Sequence, residues 1–348
     1  MTYTILLILL FCGLVISKQK KTYFYISTIY IMIIGSLRSI FVGTDVHLYG
    51  TNFYYTNFNP KSWNMGTDFE IGFNYLIASF KSIISDDYMF FVSILFIYTF
   101  GLTAWFVKKY SPDISLSLLL IVLFGTMFVE FSAMRQFFAL ATALPFIDKY
   151  FKDKNTFFYI ISIVSLGVLF HHSVIIMVFI PLVVDKTFIS KKIMLLSLGG
   201  SYVLAFVFQN VLANSLSAFS FLLNERYNTY ATELAEAKEG NMALFQTLIA
   251  AVIVWYSKNI NNRILPIYVL GICCFNIFSS FSDVAPRAAM NLINVFMTIQ
   301  AAVTVMEQKK FKRFAVGTFV IASGLVYYFW CYYINGVYNV VPFSFRDL

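Results

Sequence analysis

Arg38, Arg135, Arg226 and Arg287 are the residues whose type and placement point first to chemistry. Long apolar runs alternate with short polar joints along the whole chain. Every second joint is rich in Lys, and the six joints at 18–21, 108–109, 149–154, 186–192, 258–263 and 309–313 hold 17 of the 25 basic residues. The intervening joints carry only eight, yet these include five of the seven arginines, and all three histidines lie on the same side. The positive-inside bias makes the Lys-rich set cytoplasmic and disfavours cations opposite. Arginine placed against that bias, where Lys is scarce, points to forked, paired hydrogen bonds to phosphate. One Arg at a helix end also has a bland role, snorkelling to the interface. Four at one membrane depth can converge if their helices cluster, and would then grip a negative head group such as a lipid-linked pyrophosphate.

The candidate acid and base groups lie on the same side. Phe170-His171-His172-Ser173 places two imidazoles at the outer end of an apolar hairpin, where ionisable groups default to function. Either ring could accept a proton or contact phosphate, or hydrogen-bond a neighbouring helix. Adjacent histidines without a carboxylate or Cys cluster have poor spacing for one metal ion, so no metal and no cofactor is expected. Asp45 follows a turn in Gly43-Thr44-Asp45-Val46-His47-Leu48-Tyr49, and Glu70 opens Glu70-Ile71-Gly72-Phe73. A carboxylate there could cap a helix, or serve as general base toward a sugar hydroxyl. Tyr49, Tyr227 and Tyr230 lie in the outer segments, where their faces could stack on sugar rings.

These residues need elements to hold them, and the composition says which kind. Hydrophobic residues make up 59% of the 348 and charged ones 12%, about half the ordinary charged share of about 25%. The fold class is therefore an all-α polytopic integral membrane protein, since helices satisfy their own backbone in lipid. The runs do not alternate as barrel strands would. Successive runs at 3–17, 22–41, 88–107, 114–132, 134–148, 155–170, 172–185, 193–210, 243–257, 264–282, 288–306 and 314–334 give about twelve crossings, with both termini extracytoplasmic. Pro181 makes the run at 172–185 the least regular. Two extracytoplasmic segments, about 42–87 and 210–242, are too long for turns; within the first, 69–84 has the spacing of an amphipathic interfacial helix. Nothing marks a soluble domain or linker, so residues 1–348 form a single membrane domain. Mid-crossing positions read as apolar.

The net charge of +8 is a topology signal facing anionic lipid, with no nucleic acid implied. Cys12, Cys273, Cys274 and Cys331 fall inside apolar runs and read as small buried residues. No phosphate-cradling Gly loop, zinc-protease motif or serine elbow is present, so any reaction must draw on an energised bond in the substrate.

At these same positions the chain resembles the EpsG-type, Wzy-like family of bacterial polysaccharide polymerases that make O-antigen, capsule and exopolysaccharide. The matching features are Arg38 before Gly43-Thr44-Asp45 with Tyr49, Glu70-x-Gly72-Phe73, Arg135-Gln136 opening an apolar helix, Phe170-His171-His172-Ser173, and Arg226-Tyr227-x-x-Tyr230. The C-terminal Pro342-Phe343 echoes the family ending only loosely, and nothing catalytic is placed there. The resemblance implies a glycosyltransferase of the bacterial cytoplasmic (inner) membrane, joining undecaprenyl-pyrophosphate-linked oligosaccharide repeat units at the outer leaflet. It implies membrane lipid as surroundings, and a flippase and a chain-length regulator as partners. Arg38, Arg135, Arg226, Arg287, His171, Tyr49 and Tyr227 would bind pyrophosphate or glycan; Asp45, Glu70 and His172 would act on the acceptor hydroxyl. The alternatives are a transporter or flippase of lipid-linked oligosaccharide and an O-antigen-ligase-like transferase.

Overall fold

The computed structural model describes residues 2–15, 20–59, 69–186, 189–219, 241–259, 262–279 and 286–346. Among them the fold is all-helical, and the only extended pairing is an isolated antiparallel bridge between Arg38 and Phe345. Two compact units are distinguished, one of residues 1–178 with 317–348, the other of 179–316.

The first unit opens with α1 (Thr2–Val15) and α2 (Lys20–Ser36), followed by two short helices, α3 (Val46–Tyr55) and α4 (Ile71–Ile83). Next comes α5 (Tyr88–Tyr110), which starts where the Asp87 carboxylate accepts from the amide of Phe90 at 3.0 Å. A carboxylate at a helix start and Lys108 and Lys109 in the last turn both suit the helix dipole. Then α6 (Ile114–Leu123) stops at Gly125, in the left-handed conformation, and α7 (Thr126–Ser132) continues with a 50° bend. The expected continuous run at 114–132 is thus a broken one. Next, α8 (Met134–Asp153) begins after the non-helical Ala133, and α9 (Thr156–Leu169) is capped by Asn155. The expected helix at 172–185 is a tight 3₁₀ stretch, His172–Phe179, leading into the single turn α10 (Ile180–Val183). Pro181 sits in the first turn of α10, where its missing N–H is no loss, so it does not break a helix there.

The second unit holds α11 (Lys191–Phe219), α12 (Asn241–Tyr256), α13 (Ile264–Ser279) and α14 (Pro286–Met306). The last helix, α15 (Lys310–Tyr328), widens into a π-helical turn, Phe329–Ile334. α14 is buried along most of its length, and it buries Asn291, Asn294, Thr298, Gln300 and Thr304 as well as apolar residues. Ser257, Thr304, Gln300 and Asn262 hydrogen-bond one another, as do Thr247, Asn276 and Ser201. Apolar mid-crossing positions were therefore the wrong expectation. Buried amides and hydroxyls join helices wherever a partner side chain satisfies them.

The chain is a helical membrane protein. Among the described residues three helices are long and apolar enough to cross a bilayer: Tyr88–Tyr110, Pro286–Met306 and Lys310–Ile334. The bent pair Ile114–Leu123 and Thr126–Ser132 makes a fourth if counted as one crossing. Five other apolar helices have only 10–17 residues, and at 1.5 Å per residue these fall short of a hydrocarbon core of about 30 Å unless flanking residues snorkel. The 42–87 segment contains α3 and α4, and the amphipathic reading of 69–84 matches α4. Its apolar face is filled by protein: Phe73, Ile77 and Phe80 pack with Phe53, Phe91 and Leu95, while Ile71, Tyr75 and Ile83 face outward. Of the second long segment, α11 extends to Phe219, and residues 220–240 lie outside the described residues. Cys331 is buried, whereas Cys273 and Cys274 are half-buried and Cys12 is exposed on α1, which corrects the expectation that all four are interior.

Candidate active site

The Lys-bearing ends and the Arg- and His-bearing ends of the first unit's helices are opposite ends. Lys20 opens α2 and pairs with Asp113 before α6; Lys109 and Lys152, at the ends of α5 and α8, both pair with Asp148. The other ends of those helices carry Arg38, Arg135 and the two histidines. Lys20, Lys109 and Lys152 therefore lie at helix ends opposite those of Arg38, Arg135 and the two histidines.

The rim is built from the 43–46 turn upward. Gly43 has φ +113°, and a Cβ there would lie 2.6 Å from the Phe131 carbonyl oxygen, so only glycine fits the turn against that backbone. The Thr44 amide donates to Ser132 Oγ at 3.1 Å, fastening the turn to the joint between α7 and α8. Tyr88 completes it by donating to the Val46 carbonyl at 2.6 Å. Asp45 precedes α3, but its half-buried carboxylate caps nothing, leaving it open to another partner.

From this turn α3 delivers Tyr49, and α8 delivers Arg135. The Arg135 amide donates to the Tyr49 hydroxyl at 3.4 Å. Its guanidinium carbon lies 3.8 Å from the Phe69 ring centroid and 5.7 Å from that of Tyr49, and one terminal nitrogen pairs with Glu70 Oε2. Arg135 Nε is buried and has no protein partner. A guanidinium held over a ring and pinned by a carboxylate keeps its fork aligned, and its partly exposed end leaves donors for an anion. Burial raises the Tyr49 hydroxyl above the ordinary tyrosine range, against the lowering effect of Arg135, so Tyr49 acts as a neutral hydroxyl. Asn52 and Asn74 tie α3 to α4 at 2.9 Å, and Lys81 donates to the carbonyls of Phe53, Tyr54 and Thr56 at the end of α3.

Gly72 brings the histidines to the same neighbourhood. A Cβ on Gly72 would meet the Leu169 carbonyl oxygen at 2.6 Å, so α4 and the end of α9 touch backbone to backbone. Phe170 packs edge-on to Phe138 of α8, 4.9 Å between centroids. Exposed His172 has Nδ1 3.0 Å from the Gly167 carbonyl; a carbonyl can only accept, so Nδ1 carries the proton and Nε2 holds the lone pair. His171 Nδ1 faces Ser173 Oγ at 2.7 Å and accepts from the Ser173 amide at 3.3 Å.

Arg38 is close by in the chain of contacts but is fully buried. It donates to the carbonyls of Gly35 and Phe131 at 3.0 and 3.3 Å and to Met134 sulfur at 3.6 Å, and it stacks 4.5 Å over Phe131. Its main chain is clamped by the C-terminal segment: the Ser39 amide donates to Ser344, and the Arg346 amide to Leu37, both at 2.9 Å. Of the other expected contacts, Arg287 is exposed at the start of α14 in the second unit, and Arg226 and Tyr227 lie outside the described residues.

Three participants escaped the sequence reading. Phe69 is the platform for Arg135, and residues 344–346 brace Arg38. Glu130, 2% exposed, is a carboxylate inside the apolar Phe128-Val129-Glu130-Phe131. Its isolation among apolar residues was the available signal.

A family model, the EpsG family, matches residues 21–345. This chain belongs to the EpsG family. Comparison with curated proteins and with solved structures gives no match. As an EpsG-family chain it is a membrane protein of polysaccharide biosynthesis, of the glycosyltransferase-like polymerase type. The match covers every described element of the rim from Arg38 to Phe345.

Proposed function

We propose that the chain is a polysaccharide polymerase that joins undecaprenyl-pyrophosphate-linked oligosaccharide repeat units at the outer leaflet of the bacterial cytoplasmic membrane. In this reading it crosses about twelve times, with both termini and the arginine rim outside. The observation that carries it is Arg135, partly exposed, placed over Phe69 and held by Glu70 and Tyr49. That is a preorganised phosphate contact on the face where Lys is avoided.

The acceptor hydroxyl oxygen forms a bond to the anomeric carbon of the growing glycan as the bond from that carbon to the pyrophosphate oxygen breaks. The leaving pyrophosphate keeps the electron pair, and Arg135 neutralises the charge that develops on it. Arg38 adds positive charge beneath the same joint, and Arg226 and Arg287 are assigned to the pyrophosphate or the polymer. His172 Nε2 takes the hydroxyl proton, since its tautomer leaves that nitrogen basic; Asp45 orients the acceptor or shares that task. Glu70 is committed to Arg135 and serves as a positioning residue. Tyr49, Tyr227 and His171 line the glycan path.

A deletion strain examined for surface glycan tests the assignment. Single-repeat products support a polymerase, whereas lipid-linked units trapped inside the cell establish the flippase alternative instead.

A further inference from the structure

Burying a carboxylate and a guanidinium demands that each charge find partners, because the interior cannot solvate them as water does. For Glu130 and Arg38, 2% and 0% exposed, the protein supplies only part of that requirement. Thr99 Oγ1 donates to Glu130 Oε1, and the terminal nitrogens of Arg38 reach two carbonyls and Met134. Glu130 Oε2 and Arg38 Nε have no protein partner, and the two side chains make no direct ion pair. Both line one cavity of about 10 Å³, together with Thr99, Met134, Leu95 and Phe96.

That volume is about what one water occupies, and a buried water needs at least two polar partners. Arg38 Nε–H is a donor and Glu130 Oε2 an acceptor, so a water can accept from the first and donate to the second. A cation would be repelled by the guanidinium, an anion by the carboxylate, and an apolar atom would leave both groups unmatched. We propose that this cavity holds one water bridging Arg38 Nε to Glu130 Oε2, making Glu130 the counter-charge that fixes Arg38. The consequence reaches the rim. Arg38 holds the Phe131 carbonyl, the same atom on which Gly43 rests, just before the joint that presents Arg135. Glu130 is thus a positioning residue, and the inference does not depend on the polymerase reading.

Radiolytic labelling of the full-length protein in lipid nanodiscs tests it, because a bound internal water yields hydroxyl radical that oxidises its immediate neighbour. Met134, 4% exposed, lines the cavity, and Met127, 0% exposed in α7, does not. Met134 should oxidise several-fold faster than Met127 in the wild-type protein; equal rates overturn the proposal. Glu130→Gln keeps an acceptor oxygen and should keep the fast labelling, whereas Glu130→Leu should slow Met134 to the rate of Met127. A rise at both methionines in Glu130→Leu would mean general loosening and would also overturn it. Pairing of charge is read separately. The thermal midpoint should fall in Arg38→Met and in Glu130→Leu and recover in the double variant; a double variant no better than the worse single refutes the counter-charge.

Discussion

At the residue scale, geometry separates side chains that composition treats alike. Arg135 and Arg38 are both outer-rim arginines by sequence, but Arg135 lies over Phe69 partly exposed and Arg38 is fully enclosed. Arg135→Lys keeps the charge and loses the fork. Polymer formation by purified protein should fall roughly 100-fold, the size of effect seen when one preorganised donor is lost at a developing anion. The protein should remain in the membrane at normal level, and unchanged polymer would remove Arg135 from the site. His172→Ala removes the ring nitrogen left free to accept a proton, and should slow polymer formation while leaving the thermal midpoint unchanged. A matching fall in the midpoint would make the ring structural. The pairing of Arg135 with Glu70, 65 residues apart, had no sequence signature beyond a shared rim.

At the element scale, what positions the rim is a set of close backbone approaches and broken helices. Gly72 lets α4 lie directly on the Leu169 carbonyl. Gly72→Ala must push those backbones apart, destabilising by about 1–3 kcal/mol as overpacking does. Its signature should be a lowered thermal midpoint together with a loss of activity larger than that of Ile71→Ala on the outward face of the same helix. The C-terminal segment acts as a strap across residues 37–39. Truncation after Pro342 removes both main-chain bonds and the Arg346 contact to Ser93, and should abolish polymer while α5 and α8 remain protease-resistant. Wild-type chain length from that truncation would show the strap to be dispensable. Neither device was legible in the sequence, because a glycine's contact and a terminal strand's partner are decided by distant segments. The amphipathic spacing of 69–84 was legible, because period and burial are local properties.

At the scale of the whole molecule, Lys20, Lys109 and Lys152 lie at one set of helix ends in the first unit and pair there with Asp113 and Asp148. Which set faces the cytoplasm is a direct measurement. In a cysteine-free background, His47→Cys should react with a membrane-impermeant maleimide in intact cells, and Lys154→Cys only after permeabilisation; both native side chains are exposed. The reverse pattern would turn the arginine rim inward and end the outer-leaflet reading. Twelve apolar runs were visible in the sequence, yet among the described residues three helices, or four with the bent pair, meet the length and hydropathy of a crossing. Gly125 divides one run and the C-terminal strap shortens another; the stretch after His172 winds as a 3₁₀ helix.

The sequence by itself determined the helical membrane class, the two-sided sorting of Lys and Arg, and the residues worth testing. Each of these follows from transfer of side chains between water and lipid, which a residue settles almost alone. Tertiary structure decided which arginine stays partly exposed, that Glu70 belongs to Arg135, and that Glu130 lies buried beside Arg38. Those facts depend on what surrounds a charge once water is removed, and the surroundings come from segments up to hundreds of positions away in the chain.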